Sequence, residues 1–290
     1  MTAAASLRVA TFNIRNGIAF DWLDSWPFRR RATAEAVARL DADVAGLQEA
    51  YGFQLRYLLR HLPGYGATGA GRSDGRGRGE RCAVLYRSAR LALDDSVTRW
   101  FSDTPEVPGS TGWGGRLPRI VTLARLIDTR TGGRFGFADC HLEGWPPVAR
   151  HRSAEALVGW LDPALPWIVA GDFNAEPDDE AVLTMLEAGF RDVFTASAPP
   201  STRPDAYAPE RQDLPADSPP PLEGRDAAAN VAPAPPTTTG GFSGTEARRR
   251  IDYVFVSEHW LVDEAAVAAF RRHRRLPSDH FPVVATLRLR

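Results

Sequence analysis

The chain has 290 residues, with 35 basic and 36 acidic side chains and a formal net charge of −1. That length accommodates one large α/β domain or two ordinary ones, and the balanced charge gives no general attraction to nucleic acid or anionic membrane, so any phosphate-binding surface must be local. Every basic residue is Arg, so a P-loop lysine and all Schiff-base chemistry are excluded as well.

The opening "MTAAASLRVA" lacks a charged region followed by an apolar one. No apolar run approaches the roughly 20 residues of a membrane span, so the chain is expected to be soluble and cytoplasmic. The first apolar run, "LRVATFN" (7–13), predicts a strand ending on Asn13. In "FRRRATAEAVARL" (28–40) the residues Phe28, Ala32, Ala36 and Leu40 form the apolar stripe of a helix. "VAGLQ" (44–48) predicts a second strand, followed by Glu49. The Gly-rich "GAGRSDGRGRGE" (69–80) reads as a flexible, solvated loop, although its Arg72, Arg76 and Arg78 could touch an anionic substrate. "CAVLY" (82–86), "RIVTLARLI" (119–127) and "RFGFADCHL" (134–142) predict further strands. Cys82 and Cys140 lie in two of them and read as reduced core cysteines; His141, next to Cys140 on a strand, points to the opposite face.

A second helical stripe follows in "SAEALVGWL" (153–161), through Ala154, Leu157, Val158 and Leu161. "WIVAGD" (167–172) predicts a strand ending on Asp172, and "PDDEAVLTMLEAG" (177–189) a helix opened by Pro177 and acids and closed by Gly189. Residues 197–236 hold 11 of the 23 prolines and almost no large aliphatic side chains, which predicts a flexible insertion. "IDYVFVS" (251–257) and "FPVVATLRL" (281–289) are too few to form a core alone. They must join the earlier sheets, giving a single domain over 1–290 interrupted at 197–236.

Acids and amides recur at the ends of these runs: Asn13, Glu49, Asp172 with Asn174, and Asp279 with His280. Strand ends are where a rigid core fixes side chains while loops leave room for a ligand. Carboxylates without Cys partners suit Mg²⁺ or Mn²⁺ rather than structural zinc. Taken one at a time, each has a plainer reading as a turn former, cap or surface charge. Asp192 in "GFRDVF" reads as structural, His151 and His273 have no motif around them, and "RRHRR" (271–275) reads as a solvated loop.

Eight short motifs in order resemble the endonuclease/exonuclease/phosphatase superfamily, from about residue 7 to the C-terminus. They are "TFNIRNG" at Asn13, "GLQEA" at Glu49, "GERCAVLYR" at Glu80, "LPRIVTLARL" at Arg119, "CHLEG" at His141, "GDFNAEP" at Asp172 and Asn174, "RRRIDYVFVS" at Asp252, and "PSDHFPV" at Asp279 and His280. The resemblance implies a deoxyribonuclease-I-like fold: a four-layer α/β sandwich of two packed mixed sheets flanked by helices, with the site at one edge. It implies that Glu49 is the principal ligand of Mg²⁺, with Mn²⁺ as substitute, and that Asn13 and Asp279 lie near the ion or its waters. Asp172 is implied to orient or deprotonate water, and Asn174 to hold that water or the scissile phosphate. Asp252 is implied to bond His280 and fix its tautomer, Glu80 to do the same for His141, and Arg119 to meet the phosphate. Two departures border the expected pocket: "DCHLEG" replaces the commoner "NTHLDH", and "TTTGGFSG" (237–244) replaces a Thr, an aromatic and a His before Gly-Phe.

In-line attack of water on a phosphate ester builds negative charge that a metal, an Arg and an imidazolium can stabilise. The expected activity is therefore a Mg²⁺-dependent phosphoesterase acting on a phosphodiester or phosphomonoester. A DNA or RNA nuclease of the same superfamily is the alternative, and a noncatalytic phosphate-binding module the alternative of another class. The expected partner is a phosphate-ester substrate, small molecule or nucleic acid, with no obligate protein partner.

Overall fold

The computed structural model describes residues 6–197, 237–242, 249–272 and 275–290. Apart from Ser197 the predicted Pro-rich insertion lies outside the described residues, as does His273. The strands are β1 (Leu7–Asn13), β2 (Val44–Ala50), β3 (Tyr65–Thr68), β4 (Arg81–Arg87), β5 (Leu91–Trp100), β6 (Ile120–Asp128), β7 (Arg134–His141), β8 (Trp167–Asp172), β9 (Arg191–Asp192), β10 (Asp252–Val256), β11 (Trp260–Val267) and β12 (Val283–Leu289). They form two six-stranded mixed sheets, ordered β11-β12-β1-β2-β4-β3 and β5-β6-β7-β8-β10-β9. The helices are α1 (Trp26–Leu40), α2 (Gly52–His61), α3 (Pro147–Trp160), α4 (Glu180–Glu187) and the short α5 (Val193–Ala196).

Central strands read as near-continuous apolar runs because both of their faces are covered. Val9, Val44, Val84, Leu126, Phe137, Ile168, Val254 and Val283 pack between the sheets. On the outer face of the first sheet, Phe12, Leu47 and Leu85 meet Trp26, Val37 and Leu58 of α1 and α2. On the outer face of the second, Val121, Val169 and Tyr253 meet Leu157 and Met185 of α3 and α4. The result is the four-layer deoxyribonuclease-I-like sandwich expected from the motifs. No helix among the described residues is long and apolar enough to cross a membrane.

Register explains why one edge collects the polar motifs. β1 and β2 run parallel, as do β7 and β8, so Asn13, Glu49, His141 and Asp172 all lie at the C-terminal ends of central strands. The neighbours run antiparallel and therefore begin where these strands end. Asp252 opposes Asp172, Ile120 opposes His141, Arg81 opposes Ala50, and Val283 opposes Thr11. Residues just before those starts, Glu80, Arg119, Asp279 and His280, are thereby delivered to the same edge.

The sequence reading misses β3, β5, β9, β11, α2 and the short α5. β5, "LALDDSVTRW", is an outer strand with one solvated face and two adjacent acids, so its alternation lacks the apolar density of a buried strand. The first helix begins two residues earlier than predicted, and Phe28 is 54 % exposed while Trp26 is buried in its place. α4 starts at Glu180, capped by Asp179, whose carboxylate accepts the Ala181 N–H at 3.0 Å; Pro177 precedes the first turn. Asp192 is structural as read: it accepts the Phe194 N–H at 3.2 Å and pairs with buried Arg250. Both cysteines are free and buried.

Asp139 is buried between the sheets, where Gly46 leaves it room; a Cβ at Gly46 would collide with its carboxyl group. Gln48 Nε2 donates to Asp139 Oδ1 at 2.5 Å and to Thr11 Oγ1 at 2.9 Å, while Asp139 Oδ2 and Gln48 Oε1 have no partner. Burial raises the Asp139 pKa well above the ordinary carboxyl range, with the Gln48 bond opposing. The folded state thus holds this proton more tightly than the unfolded chain. Its stabilising contribution is full below about pH 4 and is lost as pH rises through the folded-state pKa. Asp139→Asn restores the commoner residue of the motif and supplies a donor amid unpartnered acceptors. It should raise the urea midpoint at pH 8 by the equivalent of about 1–3 kcal/mol and leave pH 4 stability nearly unchanged. An Asn variant less stable than wild type at pH 8 would overturn this account.

Candidate active site

Asp172 is the centre of the polar edge. It is buried at the end of β8, where a Cβ at Gly171 would collide with the Cys140 carbonyl. Asp172 Oδ1 accepts the Asn174 N–H at 2.9 Å, and Oδ2 accepts from Asn13 Nδ2 at 2.9 Å. Asn174 achieves this with φ of 49°, the left-handed region that Asn tolerates better than most residues. Burial, then the nearby Asp252 charge, push the Asp172 pKa up to about 7, with His280 and the Asn13 bond opposing. The carboxylate is therefore held still and is basic enough to take a proton.

The two histidines have opposite electrostatic settings. His280 Nδ1 donates to Asp252 Oδ2 at 2.9 Å, and its Nε2 lies 3.9 Å from Asp172 Oδ2. Burial disfavours its charge, but Asp252, Asp172 and Asp279 outweigh that and raise its pKa well above the ordinary value. Asp252 is itself fixed: its N–H and that of Ile251 donate to Thr238 Oγ1 at 3.1 and 3.0 Å. His141 is neutral, its pKa lowered well below the ordinary value by burial and then by Arg119, Arg72 and His280. Arg119 Nη1 at 3.0 Å and Asn174 Nδ2 at 3.1 Å both reach its Nε2. A guanidinium can only donate, so that nitrogen carries the lone pair and the proton sits on Nδ1.

Glu49 occupies a bulge in β2, between Leu47 and Ala50, with φ of 60°. A non-glycine residue is held in that conformation only where its surroundings compel it. Its Oε1 accepts from Asn13 Nδ2 at 3.0 Å and its Oε2 from the Asn16 N–H at 2.7 Å. Among the described ion pairs none involves Glu49, and its carboxylate lines the pocket with lone pairs to spare. An oxygen donor of this kind fits a hard divalent cation. Asn13 stands beside Glu49 at the expected metal position. It is fully buried, its amide N–H₂ bridges Glu49 and Asp172, and its Oδ1 accepts the Arg15 N–H at 2.9 Å. Asp279 is held by Ser278, whose hydroxyl donates to it at 3.1 Å, and sits 3.6 Å from Arg15.

Among the described residues, one set of three ligand atoms lies within 4.8 Å of one another: those of Asp172, Asp252 and His280. This is a metal-capable cluster by spacing. The same carboxylates that make it so also raise the His280 pKa well above its ordinary value.

The cleft between these groups measures about 460 Å³ and is lined by Glu49, Asp172, Asn174, His141 and His280 together with Arg15, Arg72, Arg119 and Arg249. Arg119 Nη2 donates to Glu143 Oε1 at 3.4 Å, so an acid of the altered "DCHLEG" motif steadies it. Glu80 does not take the expected place behind His141. It accepts from Asn16 Nδ2 at 2.7 Å and pairs with Arg72 at 2.5 Å. Arg72, read from sequence as part of a solvated loop, instead turns inward to the cleft. Asn16 and Arg249 were not singled out at all, since nothing in "NIRNG" or "ARRRID" marks one polar residue over its neighbours. Trp26 is core, whereas Trp145 is 67 % exposed.

Known proteins agree with this architecture. A crystal structure of an endonuclease/exonuclease/phosphatase family protein from Bacteroides thetaiotaomicron is 28 % identical, with a TM-score of 0.81 over 99 % of each chain. A mannosyl-6-phosphatase from the same species is 29 % identical, with a TM-score of 0.78 over 97 % of this chain and 99 % of that one. The catalytic domain of human Nocturnin shares the fold at 22 % identity and a TM-score of 0.68, over 98 % of this chain and 94 % of that one. An uncharacterized protein of Acanthamoeba polyphaga mimivirus is 24 % identical over 197 residues, covering 62 % of this chain and 71 % of the viral one. The sequence profile of the Endonuclease/Exonuclease/phosphatase family matches residues 10–280, a span that covers both sheets and the polar edge between them: the chain belongs to that family.

Proposed function

We propose that the protein is a Mg²⁺-dependent phosphoesterase that hydrolyses a small phosphorylated molecule by in-line attack of water. The observation that carries this reading is the buried Asp172 carboxyl, raised to about 7 and held by Asn13 and Asn174 opposite the charged His280–Asp252 pair. Asp172 takes the proton of the attacking water while Asn174 and Asn13 hold the carboxylate in line. The His280 imidazolium offsets charge building on the phosphoryl oxygens, and Asp252 keeps that proton on the ring. Arg119, braced by Glu143, donates to a phosphate oxygen from the His141 side. Glu49 would hold Mg²⁺, or Mn²⁺ in its place, which when bound polarises the phosphoryl group and shields its charge from the surrounding acids. Similarity to the mannosyl-6-phosphatase, at 29 % identity over nearly the whole chain, favours a small phosphorylated substrate over a polymer.

The test is hydrolysis of aryl and sugar phosphates, with plasmid DNA as the competing substrate. Activity should need Mg²⁺ or Mn²⁺, vanish in EDTA and return on adding metal. Glu49→Gln should raise the Mg²⁺ concentration for half-maximal activity by about tenfold or more, because an amide is a weaker ligand for a hard cation. Full activity after exhaustive chelation would refute the metal assignment. Salt-sensitive plasmid nicking without phosphate release from small esters would establish the nuclease instead.

A further inference from the structure

The Gly-rich segment 69–80 forms a folded hairpin. The Arg72 N–H donates to the Glu80 carbonyl at 2.9 Å, and the Ser73 N–H to the Arg78 carbonyl at 3.1 Å. Asp74 Oδ1 accepts the N–H groups of Arg76 and Arg78, each at 2.9 Å, and the Trp100 indole N–H donates to the Arg72 carbonyl at 2.7 Å. With its backbone pinned on both sides, Arg72 directs its side chain into the cleft, while Arg76 and Arg78 stay exposed.

The Arg72 guanidinium is anchored by a single carboxylate. Glu80 Oε2 lies 2.5 Å from Arg72 Nη1, and Glu80 Oε1 is occupied by the Asn16 amide. Arg72 and Arg119 both line the main cleft, and both line a recess of about 10 Å³ whose walls include Glu49, Glu80 and His141. A space of that size takes about one water-sized group. It admits one free phosphoryl oxygen, beside the Arg72 and Arg119 side chains that line it. Arg72 also depresses the His141 pKa, which places its charge within reach of the imidazole that Arg119 touches.

We propose that Arg72, positioned by Glu80, is a second guanidinium that grips the terminal oxygens of the substrate together with Arg119 and so selects phosphate monoester dianions over diesters. This rests on the phosphoesterase reading above. A dianion gains more than a monoanion from a second fixed cation in a partly desolvated cleft, and a planar guanidinium offers paired donors to two oxygens. Glu80 acts as a positioning residue that keeps the fork aimed.

The comparison that tests this uses p-nitrophenyl phosphate and bis-p-nitrophenyl phosphate, which share a leaving group, with the full chain in Mg²⁺. Arg72→Ala should lower kcat/KM for the monoester by about 30-fold or more and for the diester by less than about threefold. Calorimetric affinity for inorganic phosphate should weaken by about tenfold. Arg72→Lys, a point charge without the fork, should recover part of both losses. Glu80→Gln should raise the monoester KM more than it lowers kcat, and Arg78→Ala, on the exposed side of the hairpin, should match wild type. Equal losses on the two esters in Arg72→Ala, or unchanged phosphate affinity, would overturn the proposal. If wild type turns over neither ester, the phosphoesterase reading fails, and the phosphate titration of Arg72→Ala still decides the role of this arginine.

Discussion

Asp172→Asn should lower kcat by about 10³-fold or more at saturating Mg²⁺ while leaving the melting temperature within a few degrees of wild type. Loss of the basic oxygen is one part of the effect. The other is local. Asp172 accepts on both oxygens, from the Asn174 N–H and from the Asn13 amide, so a new N–H₂ must face one donor or the other. Facing Asn13, it leaves that amide bound to Glu49 alone; facing Asn174, it releases the loop that carries Asn174, and either way one support of the site is lost. Relief of the Asp172–Asp252 repulsion works in the opposite direction on stability, which is why the fold should survive. The measurement is kcat for an aryl phosphate beside a thermal melt. Activity within about tenfold of wild type, in a folded variant, would remove Asp172 from the proton-transfer role.

What could be read from the sequence and what could not follow from the range of the interactions concerned. The central strands were legible because burial on both faces leaves an unbroken apolar run, as in "WIVAGD" and "DYVFV". Edge strands such as β5 and β11 were not, because each leaves one face to solvent and carries acids there. The gathering of Asn13, Glu49, His141, Asp172 and His280 at one edge follows from strand ends and motif order, both local properties of the chain. Pairings between loops are different in kind. Glu80 meets Arg72 rather than His141 because the hairpin between them folds back on itself, and its Arg72–Glu80 backbone bond is a tertiary fact that glycine content does not announce. In the same way the bridging part of Asn13 depends on the distance between two sheets, which no single strand encodes.

Arg29 shows how far such an unannounced contact can reach. Phased on Phe28, the first helical stripe passes it by; phased on Trp26, the same helix buries it. It is fully buried, and burial lowers its pKa to about 10 against the opposing pull of Asp279 and Asp21. Arg29 Nη1 donates to the carbonyls of Ile14 and Pro277 at 2.6 and 3.0 Å, and Nη2 to that of Arg15 at 2.8 Å. Thr33 adds a hydroxyl bond to the same Pro277 carbonyl at 2.8 Å. One guanidinium thus ties the segment that presents Asn13 and Asn16 to the one that presents Ser278, Asp279 and His280. Arg29→Met fills the volume but strands several buried carbonyls, and should cost about 3–5 kcal/mol in urea unfolding. Because both tied segments carry site residues, kcat should fall and the Mg²⁺ requirement should rise even under conditions where the variant is fully folded. Arg29→Lys retains charge and three donors without the planar reach to both segments, so it should lie between wild type and Met in stability and activity. If Arg29→Met unfolds at the wild-type urea midpoint, the carbonyls must find other partners and the tie between the two loops is not made by this residue.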